Sequence, residues 1–425
     1  MNNNEALRNL SLLSLDEIED KLSSGKDDLN LGQLVGEDKA AKIQATAARP
    51  SFKLSASPEM VVLLPGLMGS LLMSIRGVTD FLWINPLIFL NGHGDYLTVG
   101  NPDVEVAPFS TEKMTYLRMA LDLRKQFRLF EFPYDWRLPI ESNAGLLHAC
   151  LARWSAAYPG QKFTLVGHSM GGLVIRNYFA YYPQDAENLV QKAIYLGSPL
   201  LGATNVIENL SVGNSMVSTV DQLNPANHMR EAVLSMPGVH ELMPVPPDLF
   251  PSGYTYPADW NLYDAQAWQV NGLRQDLLDA SLRYNRDLPG HTAQIEQVML
   301  AGCNIPSTTV VNRTAGPNSQ LHWDFPKASQ GKDSGDGTVP LWSSASDPAL
   351  KVYYVQCLHR DLPNHDDVIP AVEQLIQSGA CALPTALPAP KPTSILSFLD
   401  IGTLKDRLLS GSAGKDEFSQ LSFAL

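Results

Sequence analysis

The sequence predicts an α/β fold built on a mainly parallel β-sheet. Its short apolar runs are rich in β-branched residues, close on turn signals and do not alternate with polar residues, which indicates strands buried on both faces. Helix-like stretches separate most of them, such as "MGGLVIRNYFAYY" after the third run and "DVIPAVEQLIQS" after the last. Buried strands that alternate with helices are typical of a parallel sheet covered by helices. The six runs are residues 60–66, 127–136, 162–169, 192–199, 297–304 and 351–358.

Two stretches interrupt this alternation. Residues 203–292 contain several prolines and scattered Met, Trp and Tyr without a strong strand pattern, and residues 72–115 form a smaller irregular insertion that includes "FLWINPLIFLNG". We expect the larger insertion to cap the carboxyl edge of the sheet. The sequence therefore predicts a main domain over residues 59–380 that carries two cap insertions.

Both ends of the chain differ from this domain. Residues 1–58 predict one N-terminal helix, with leucine and isoleucine at roughly helical intervals over 5–22, followed by a linker. Residues 381–394 are proline-rich and predict a stiff linker or a surface strap, and a short amphipathic helix is expected beyond them, within residues 381–425. Each terminal helix could pack on the main domain or bind a protein partner.

Composition limits the classes of function. The 425 residues are 44% hydrophobic and 18% charged, which is typical of a globular protein, and no apolar run approaches the roughly 20 residues of a membrane-spanning helix. The N-terminal sequence has none of the features of a secretory signal, so we expect a cytoplasmic protein with at most peripheral contact at membranes. A net charge of −13 disfavours nucleic acid as a partner.

The four cysteines predict neither a metal site nor a disulfide framework. Cys150, Cys303, Cys357 and Cys381 lack the paired spacing of metal ligands, and in a reducing compartment they are expected to be free and buried. No motif for a metal or an organic cofactor accompanies them. We therefore expect a protein that works without a cofactor.

One motif carries a specific chemistry. Residues 167–171, "GHSMG", match G-x-S-x-G, with the apolar run "FTLV" before them and the helix-like "GGLVIRNYF" after them. In that setting the serine sits on a strained turn between strand and helix, because a side chain at either flanking glycine would strike a neighbouring element. The pattern predicts Ser169 as a nucleophile, and its alternative is a glycine-rich turn without catalytic use.

A serine nucleophile needs a base and an acid, which follow it in the order Ser, acid, His in α/β-hydrolases. Two loops after the last two apolar runs supply candidates: "GKDSGDGTVP" and "CLHRDLPNHDDVIP". We predict Asp336 as the acid, because its flanking glycines let the loop bend toward the site. We favour His365 over His359 as the base, because His365 directly precedes a helix that would anchor it, whereas His359 could be structural.

The oxyanion of the tetrahedral intermediate requires backbone donors. The Met170 N–H lies at the start of a helix, where amides lack intrahelical partners and the helix dipole favours negative charge. The glycines around Leu67 in "LLPGLMGSLL" allow the backbone to approach an oxyanion, so the Leu67 N–H is the second predicted donor.

Four motifs in this order resemble one family: "PGLMGSLL", "YDWRLP", "GHSMGG" and "GDGTVP", with "GSPLLGA" after the fourth run. Over residues 59–378 the chain is similar to the lecithin:cholesterol acyltransferase and lysosomal phospholipase A2 group of α/β-hydrolases. The resemblance implies the α/β-hydrolase fold, Ser169, Asp336 and His365 as the catalytic triad, and Leu67 and Met170 as oxyanion donors.

The resemblance also suggests residues that contact substrate. Trp83, with the apolar residues of the first insertion, is expected to cover the acyl channel, and the alternative for it is a packed aromatic ring. Gly66 and His168 are predicted beside the substrate, although His168 could instead support the turn. In "YDWR" an internal ion pair with aromatic packing is favoured over contact with substrate.

The sequence thus predicts a serine-dependent lipid acyl hydrolase or O-acyltransferase. Its donor is expected to be a phospholipid or acylglycerol, and the Met-, Pro- and aromatic-rich cap motivates that choice. The alternatives are a carboxylesterase for smaller esters and a lipase whose terminal extensions bind a protein partner. Well-known family members are secreted and disulfide-bonded. Since we expect this chain to depart from them in both respects, the resemblance does not identify its location or its lipid.

Overall fold

A six-stranded parallel sheet forms the centre of the molecule. The computed structural model describes residues 2–24, 29–50, 58–76, 81–213, 215–289, 293–316, 321–392 and 400–422. The sheet has the order β13-β8-β7-β6-β1-β5, and every neighbouring pair is parallel. Each of the six predicted runs contains or overlaps one of these strands, so the predicted fold class is confirmed. The strands are β1 (Met60–Leu64), β5 (Arg128–Glu131), β6 (Phe163–His168), β7 (Val190–Leu196), β8 (Glu296–Gly302) and β13 (Lys351–Val355).

Helices cover both faces of the sheet. The side chains of Val61 and Leu63 pack with helices α6 (Lys113–Gln126) and α17 (Val368–Ser378), whereas Met60, Val62 and Leu64 pack on the opposite face. All five residues of β1 are buried, because alternate side chains enter two separate hydrophobic cores. The helices of the second face are α7 (Ile140–Ala157) and α8 (Met170–Tyr181), and the short α9 (Pro183–Leu189) follows α8.

The first insertion is more regular than expected. Instead of an irregular segment, it forms a three-stranded antiparallel sheet in the order β3-β2-β4, with one short helix. The proline and glycine content obscured these strands, since β4 itself contains Pro108. The elements are β2 (Ser70–Arg76), β3 (Phe81–Trp83), β4 (Glu105–Thr111) and α5 (Pro86–Leu90).

The second insertion is built from helices, in agreement with its lack of a strand pattern. Its helices are α10 (Asn205–Ser211), α11 (Ser215–Leu223), α12 (Met229–Leu234), α13 (Pro237–His240), α14 (Ala265–Trp268) and α15 (Gln275–Asp287). Between β8 and β13 the described residues add two short antiparallel strand pairs, a 3₁₀ turn at Gly331–Asp333 and a short helix. These elements are β9 (Ser307–Thr308), β10 (Asn312–Ala315), β11 (Leu321–Asp324), β12 (Lys327–Ala328) and α16 (Leu341–Ser344).

The two chain ends form one helical layer on the molecule. The single helix expected near the N-terminus is four helices, because Ser14 begins a new helix with a capping box to Glu17. The Asn3 N–H donates to the Gly411 carbonyl at 2.9 Å, so the N-terminal helices meet the C-terminal ones. The layer comprises α1 (Asn3–Leu12), α2 (Leu15–Ser23), α3 (Leu31–Val35), α4 (Glu37–Ala48), α18 (Ile401–Ser410) and α19 (Lys415–Ser422).

The proline-rich segment is a strap along the sheet edge. The Tyr354 N–H donates to the Pro384 carbonyl at 2.8 Å, and Asn304 donates to the Pro388 carbonyl at 2.9 Å. Of the two predicted forms, linker and strap, the structure has the strap. The expected C-terminal helix is present as α18, and the residues before it, 393–399, lie outside the described residues.

Two further sequence-based expectations concern cysteines and membranes. All four cysteines are free, with Cys303 and Cys357 buried and Cys150 and Cys381 half-buried. Among the described residues, every helix is too short or too polar to traverse a lipid bilayer.

Candidate active site

Ser169 occupies a sharp turn between β6 and α8. Its backbone has φ 52° and ψ −125°, a conformation that an L-residue adopts only under strain. The turn is possible because glycines flank it: a Cβ on Gly171 would lie 2.6 Å from the Pro65 carbonyl oxygen, and one on Gly167 would lie 2.8 Å from the Gly172 nitrogen. The predicted serine turn is therefore present, at the carboxyl end of a central strand.

Asp336 is held in a fixed orientation by its own loop. Its Oδ1 accepts the N–H of Val339 at 2.7 Å and that of Thr338 at 3.1 Å. Its Oδ2 lies 2.7 Å from Nδ1 of His359, and the His359 N–H donates to the Asp336 carbonyl at 2.8 Å. The Asp336 side chain is 1% exposed, so its carboxylate contacts the histidine and the loop backbone rather than solvent.

The pair of Asp336 and His359 lies beside the serine turn. The imidazole of His359 packs against that of His168, the residue before Ser169, with 4.8 Å between ring centroids. The loop after β7 approaches the same pair: a Cβ on Gly197 would lie 2.9 Å from Asp336 Oδ2 and 3.2 Å from His359 Nδ1. Loops that follow four strands of the sheet thus place the Asp336–His359 pair beside the serine turn at its carboxyl edge.

His365 is not the histidine that pairs with Asp336, and our prediction of it is wrong in this respect. A 3₁₀ turn over residues 359–364 separates the two histidines, and at about 2 Å per residue it moves His365 well away from the carboxylate. The Nδ1 of His365 accepts the Asp367 N–H at 3.2 Å. Its side chain, 30% exposed, lines a charged cleft of about 570 Å³ together with Lys42 and Arg118. The helix anchor that favoured His365 fixes it in that cleft.

The two predicted oxyanion donors lie near the serine. Met170 is the first residue of α8, so its N–H has no acceptor one turn earlier in the helix. Within the described part of the chain, the Leu67 N–H makes no hydrogen bond to the protein. Gly66 allows this loop to come close, because a Cβ there would lie 2.7 Å from the Ser169 Cβ. Gly66 therefore adjoins Ser169, and its contact with substrate stays a prediction.

Trp83 and His168 have structural contacts that the substrate-binding prediction did not include. Trp83 is fully buried, its Nε1–H donates to the Met68 carbonyl at 2.8 Å, and its ring packs edge-to-face on Trp136. This is the packed-aromatic alternative, and it fixes the loop after β1. His168 has both ring nitrogens engaged, Nδ1 with the Tyr116 hydroxyl and Nε2 with the His359 carbonyl, so neither is available to a ligand. It supports the turn instead.

The "YDWR" segment forms the favoured internal ion pair. The Arg137 guanidinium binds both carboxylate oxygens of Asp135, at 2.9 and 2.7 Å. The Arg137 carbonyl accepts the N–H of Gly238 at 3.0 Å, and a Cβ on Gly238 would lie 3.0 Å from the Met170 Cε. Because Gly238 belongs to α13, the segment joins the cap to the sheet directly beside the serine turn.

Sequence reasoning missed two residues of this site. The position of His359, four residues after the end of β13, was a signal in the sequence that it belongs to the site. The helix that follows His365 led us to favour that histidine instead. Tyr116 carried no signal, because it lies inside the apolar helix α6 and only the packing of that helix brings its hydroxyl to His168 at 2.7 Å.

Comparison with known proteins finds a family match for the part of the chain that contains the serine turn. Residues 118–279, which contain the serine turn, match the family model described as Lecithin:cholesterol acyltransferase. Over these residues the chain is similar to the lecithin:cholesterol acyltransferase family. The match ends before Asp336 and His359, so only the contacts described above connect these two residues with the serine turn.

The individual relatives of this chain that we compared are distant. It is 26% identical over 29% of its length to Phospholipase A(1) LCAT3 of Arabidopsis thaliana, covering 29% of that protein. It is 24% identical over 48% of its length to an uncharacterized protein of Saccharomyces cerevisiae, covering 31% of it. The chain therefore spans about a third of the length of these curated relatives.

A solved structure, that of the Tle4–Tli4 complex, shows a distant overall likeness. It is 15% identical, with a TM-score of 0.46, and the match covers 76% of this chain and 99% of that one.

Proposed function

We propose that the protein is a serine-dependent acyl hydrolase or O-acyltransferase for lipid esters, with Ser169 as nucleophile, His359 as base and Asp336 as the residue that orients the base. The observation that carries this proposal is the 2.7 Å contact between Asp336 Oδ2 and His359 Nδ1, beside a serine on a strained turn. The family match, which includes the turn, supports the same chemistry.

The proton arrangement follows from the contacts. A carboxylate only accepts hydrogen bonds, so the His359 nitrogen next to Asp336 carries a proton and Nε2 is the basic nitrogen. In the proposed reaction, Nε2 removes the Ser169 proton as Oγ attacks the ester carbonyl. His359 then returns that proton to the leaving alcohol, which yields an acyl-enzyme and the free alcohol. Water or a second alcohol accepts the acyl group in the reverse sequence.

The Leu67 and Met170 amides are the proposed oxyanion donors. One belongs to the loop after β1, which adjoins Ser169 at Gly66, and the other lies at the start of α8. Donors fixed before the reaction stabilise the developing charge without reorganising, and loss of one costs about 10²–10³ in rate in other hydrolases. The dipole of α8 adds to this stabilisation at its N-terminus.

A lipid is the proposed substrate because of the family and the cap. The phospholipase relative from Arabidopsis thaliana is named for its action on phospholipids, and the match to it covers only part of each chain. The cap meets the serine turn at Gly238, close to Met170, and the part of the cap around Gly238 is apolar. We propose that the acyl chain of a long ester contacts this part of the cap. Its apolar residues include Met236, Val239, Leu242 and Met243, which are buried in this structure.

The test combines active-site labelling with product analysis. The purified chain is treated with a fluorophosphonate and the modified peptide is mapped. Ser169→Ala is the inactive variant, and Ser155→Ala, at a half-buried serine of α7, is the control. Phosphatidylcholine vesicles and a triacylglycerol emulsion are then each incubated with the chain, with and without a long-chain alcohol, and products are measured by mass spectrometry. We expect labelling at Ser169 and release of fatty acid. Lipid turnover that survives Ser169→Ala, or cleavage of short esters alone, would contradict the proposal.

A further inference from the structure

A buried chain of hydrogen bonds runs behind the candidate active site. The Gly66 N–H donates to the Tyr116 hydroxyl at 2.8 Å, this hydroxyl lies 2.7 Å from His168 Nδ1, and His168 Nε2 lies 3.0 Å from the His359 carbonyl oxygen. Tyr116 and His168 are 2% and 4% exposed, so water does not compete for these bonds.

The direction of each bond follows from the end groups. The His359 carbonyl can only accept, so Nε2 of His168 carries the proton and donates it. In a neutral imidazole Nδ1 is then an acceptor, and the Tyr116 hydroxyl, which already accepts from Gly66, donates to it. Burial, with the neighbouring His359 as a second cause, holds the pKa of His168 well below its usual value. Burial likewise raises the pKa of Tyr116, so the chain contains two neutral groups in one consistent orientation.

This chain connects the three loops that carry the proposed catalytic groups. Gly66 precedes Leu67 in the loop after β1, His168 precedes Ser169 in the serine turn, and the bonded carbonyl belongs to His359 itself. The loop after β1 also encloses the phenol, since a Cβ on Gly69 would lie 2.8 Å from the Tyr116 hydroxyl oxygen. A shift of either side chain would therefore move the oxyanion donor, the nucleophile or the base relative to the others.

From these contacts we infer that Tyr116 and His168 are positioning residues, which hold the Leu67 amide, Ser169 and His359 in register for acyl transfer. The inference rests on the function proposed above and extends it to residues that do not touch the substrate. Because the Gly66 N–H already donates to the Tyr116 hydroxyl, it is not free to bind the oxyanion. The next amide, that of Leu67, takes this role in the proposal. His168 has a second requirement. It must stay neutral, because a charged imidazole 4.8 Å from the His359 ring would oppose protonation of the base.

The experiment uses the full chain and a set of variants that separate the two bonds of His168. Tyr116→Phe and His168→Gln both remove the bond between the phenol and Nδ1, whereas His168→Asn retains an acceptor near Nδ1 and loses the donor to the His359 carbonyl. Tyr195→Phe removes a buried hydroxyl that bonds Gln297 at 2.6 Å elsewhere in the sheet, and it is the matched control. The rate of fluorophosphonate labelling of Ser169 and the kcat and KM for ester hydrolysis are measured from pH 5 to 9.

We expect Tyr116→Phe and His168→Gln each to lower kcat and the labelling rate roughly 10- to 100-fold, with KM within about twofold, because misplacement of reacting groups by an ångström costs that much. The double variant should lose no more kcat and labelling rate than the more impaired of the two single variants, since both changes remove the same bond. His168→Asn should shift the acid limb of the pH profile of kcat, because it frees the carbonyl of the base.

The result separates this inference from the proposed function. If Ser169→Ala leaves hydrolysis intact, the proposed function fails, whatever the other variants do. If Ser169→Ala is inactive while Tyr116→Phe and His168→Gln keep the kcat and labelling rate of Tyr195→Phe, the function stands and the positioning role is overturned. Circular dichroism and thermal unfolding of each variant identify a loss caused by unfolding, and in that event the labelling rate per folded molecule decides.

Discussion

The imidazole Nδ1 of His359 lies 2.7 Å from Oδ2 of Asp336, and the same carboxylate is fixed by two backbone amides of its own loop. Because both oxygens of Asp336 have assigned partners, rotation of the carboxyl would break at least one bond. The imidazole is therefore held in one tautomer and one orientation, with Nε2 as the basic nitrogen. His365 is a few residues further along the chain, yet it lies in a different cleft and binds a different backbone.

Replacing each histidine in turn tests which one is the base. We expect His359→Gln to lower kcat for ester hydrolysis by at least about 10³-fold, because the serine loses its general base. His365→Gln should stay within about twofold of the original chain. The measurement is steady-state hydrolysis of a chromogenic ester together with fluorophosphonate labelling. A large loss from His365→Gln with full activity in His359→Gln would reverse the assignment.

The strands and the serine turn were predictable because their signals are local. Apolar runs that end at turn residues identify buried strands, and the glycines around Ser169 follow from steric limits that span only a few residues. The choice between His359 and His365 was not local, since it depends on the path of the 3₁₀ turn between them. Tyr116 was also beyond reach, because its partners Gly66 and His168 lie 50 and 52 positions away in the sequence.

Glycine replacement tests the steric basis of the serine turn. In Gly171→Ala the new methyl would lie 2.6 Å from the Pro65 carbonyl oxygen and 2.7 Å from that of Leu64, both of which are backbone atoms that cannot move cheaply. We expect a loss of about 1–3 kcal/mol in unfolding free energy and a large loss of fluorophosphonate labelling. The matched control is Gly145→Ala in α7, where the methyl meets only the Tyr182 hydroxyl at 3.4 Å.

That control should keep full labelling, and it should change stability by no more than about 1 kcal/mol, with a gain as the expected sign, since alanine favours helix over glycine. Chemical denaturation and the labelling rate are measured for both. Similar losses from the two replacements would show that the turn does not depend on the missing side chain.

A buried carboxyl in the cap predicts a pH dependence of stability. Burial raises the pKa of Glu241 to about 7, although its carboxylate accepts the Ile140 N–H at 2.6 Å. A carboxyl whose pKa is higher in the folded than in the unfolded state stabilises the fold below the unfolded pKa. That contribution is lost as pH rises through about 7. Stability from this residue is therefore greatest below about pH 4.5, falls between there and about pH 7, and is lowest above pH 8.

The replacement Glu241→Gln keeps an acceptor for the Ile140 N–H and removes the titration. We compare the unfolding free energy of the original chain with that of this variant at each pH. From pH 5 to pH 8 the original chain should lose up to about 3 kcal/mol relative to the variant, because only the original chain titrates at this site. Urea unfolding at several pH values measures it. Glu231→Gln, on a cap side chain that is 67% exposed, is the control and should show a much smaller change. Equal slopes for the two variants would contradict the prediction.

The contacts of the C-terminal helix α18 predict that it stabilises the cap. It packs on α5 and α11 of the two insertions, and Lys405 donates to the Leu223 carbonyl at 3.0 Å. On this helix Leu404 is fully buried, whereas Leu409 is 64% exposed. Leu404→Ala should lower the unfolding free energy by about 2–5 kcal/mol, since it leaves a cavity between the helix and the cap. Leu409→Ala should stay within about 0.5 kcal/mol.

Limited proteolysis identifies which segment of the chain unfolds more readily in Leu404→Ala. If α18 braces the cap, Leu404→Ala should expose cleavage sites within residues 203–292 at protease concentrations that leave Leu409→Ala intact, while the central sheet stays resistant. Mass spectrometry of the early fragments locates these sites. Cleavage confined to the C-terminal residues, with an unchanged cap, would mean that α18 rests on the insertions without holding them in place.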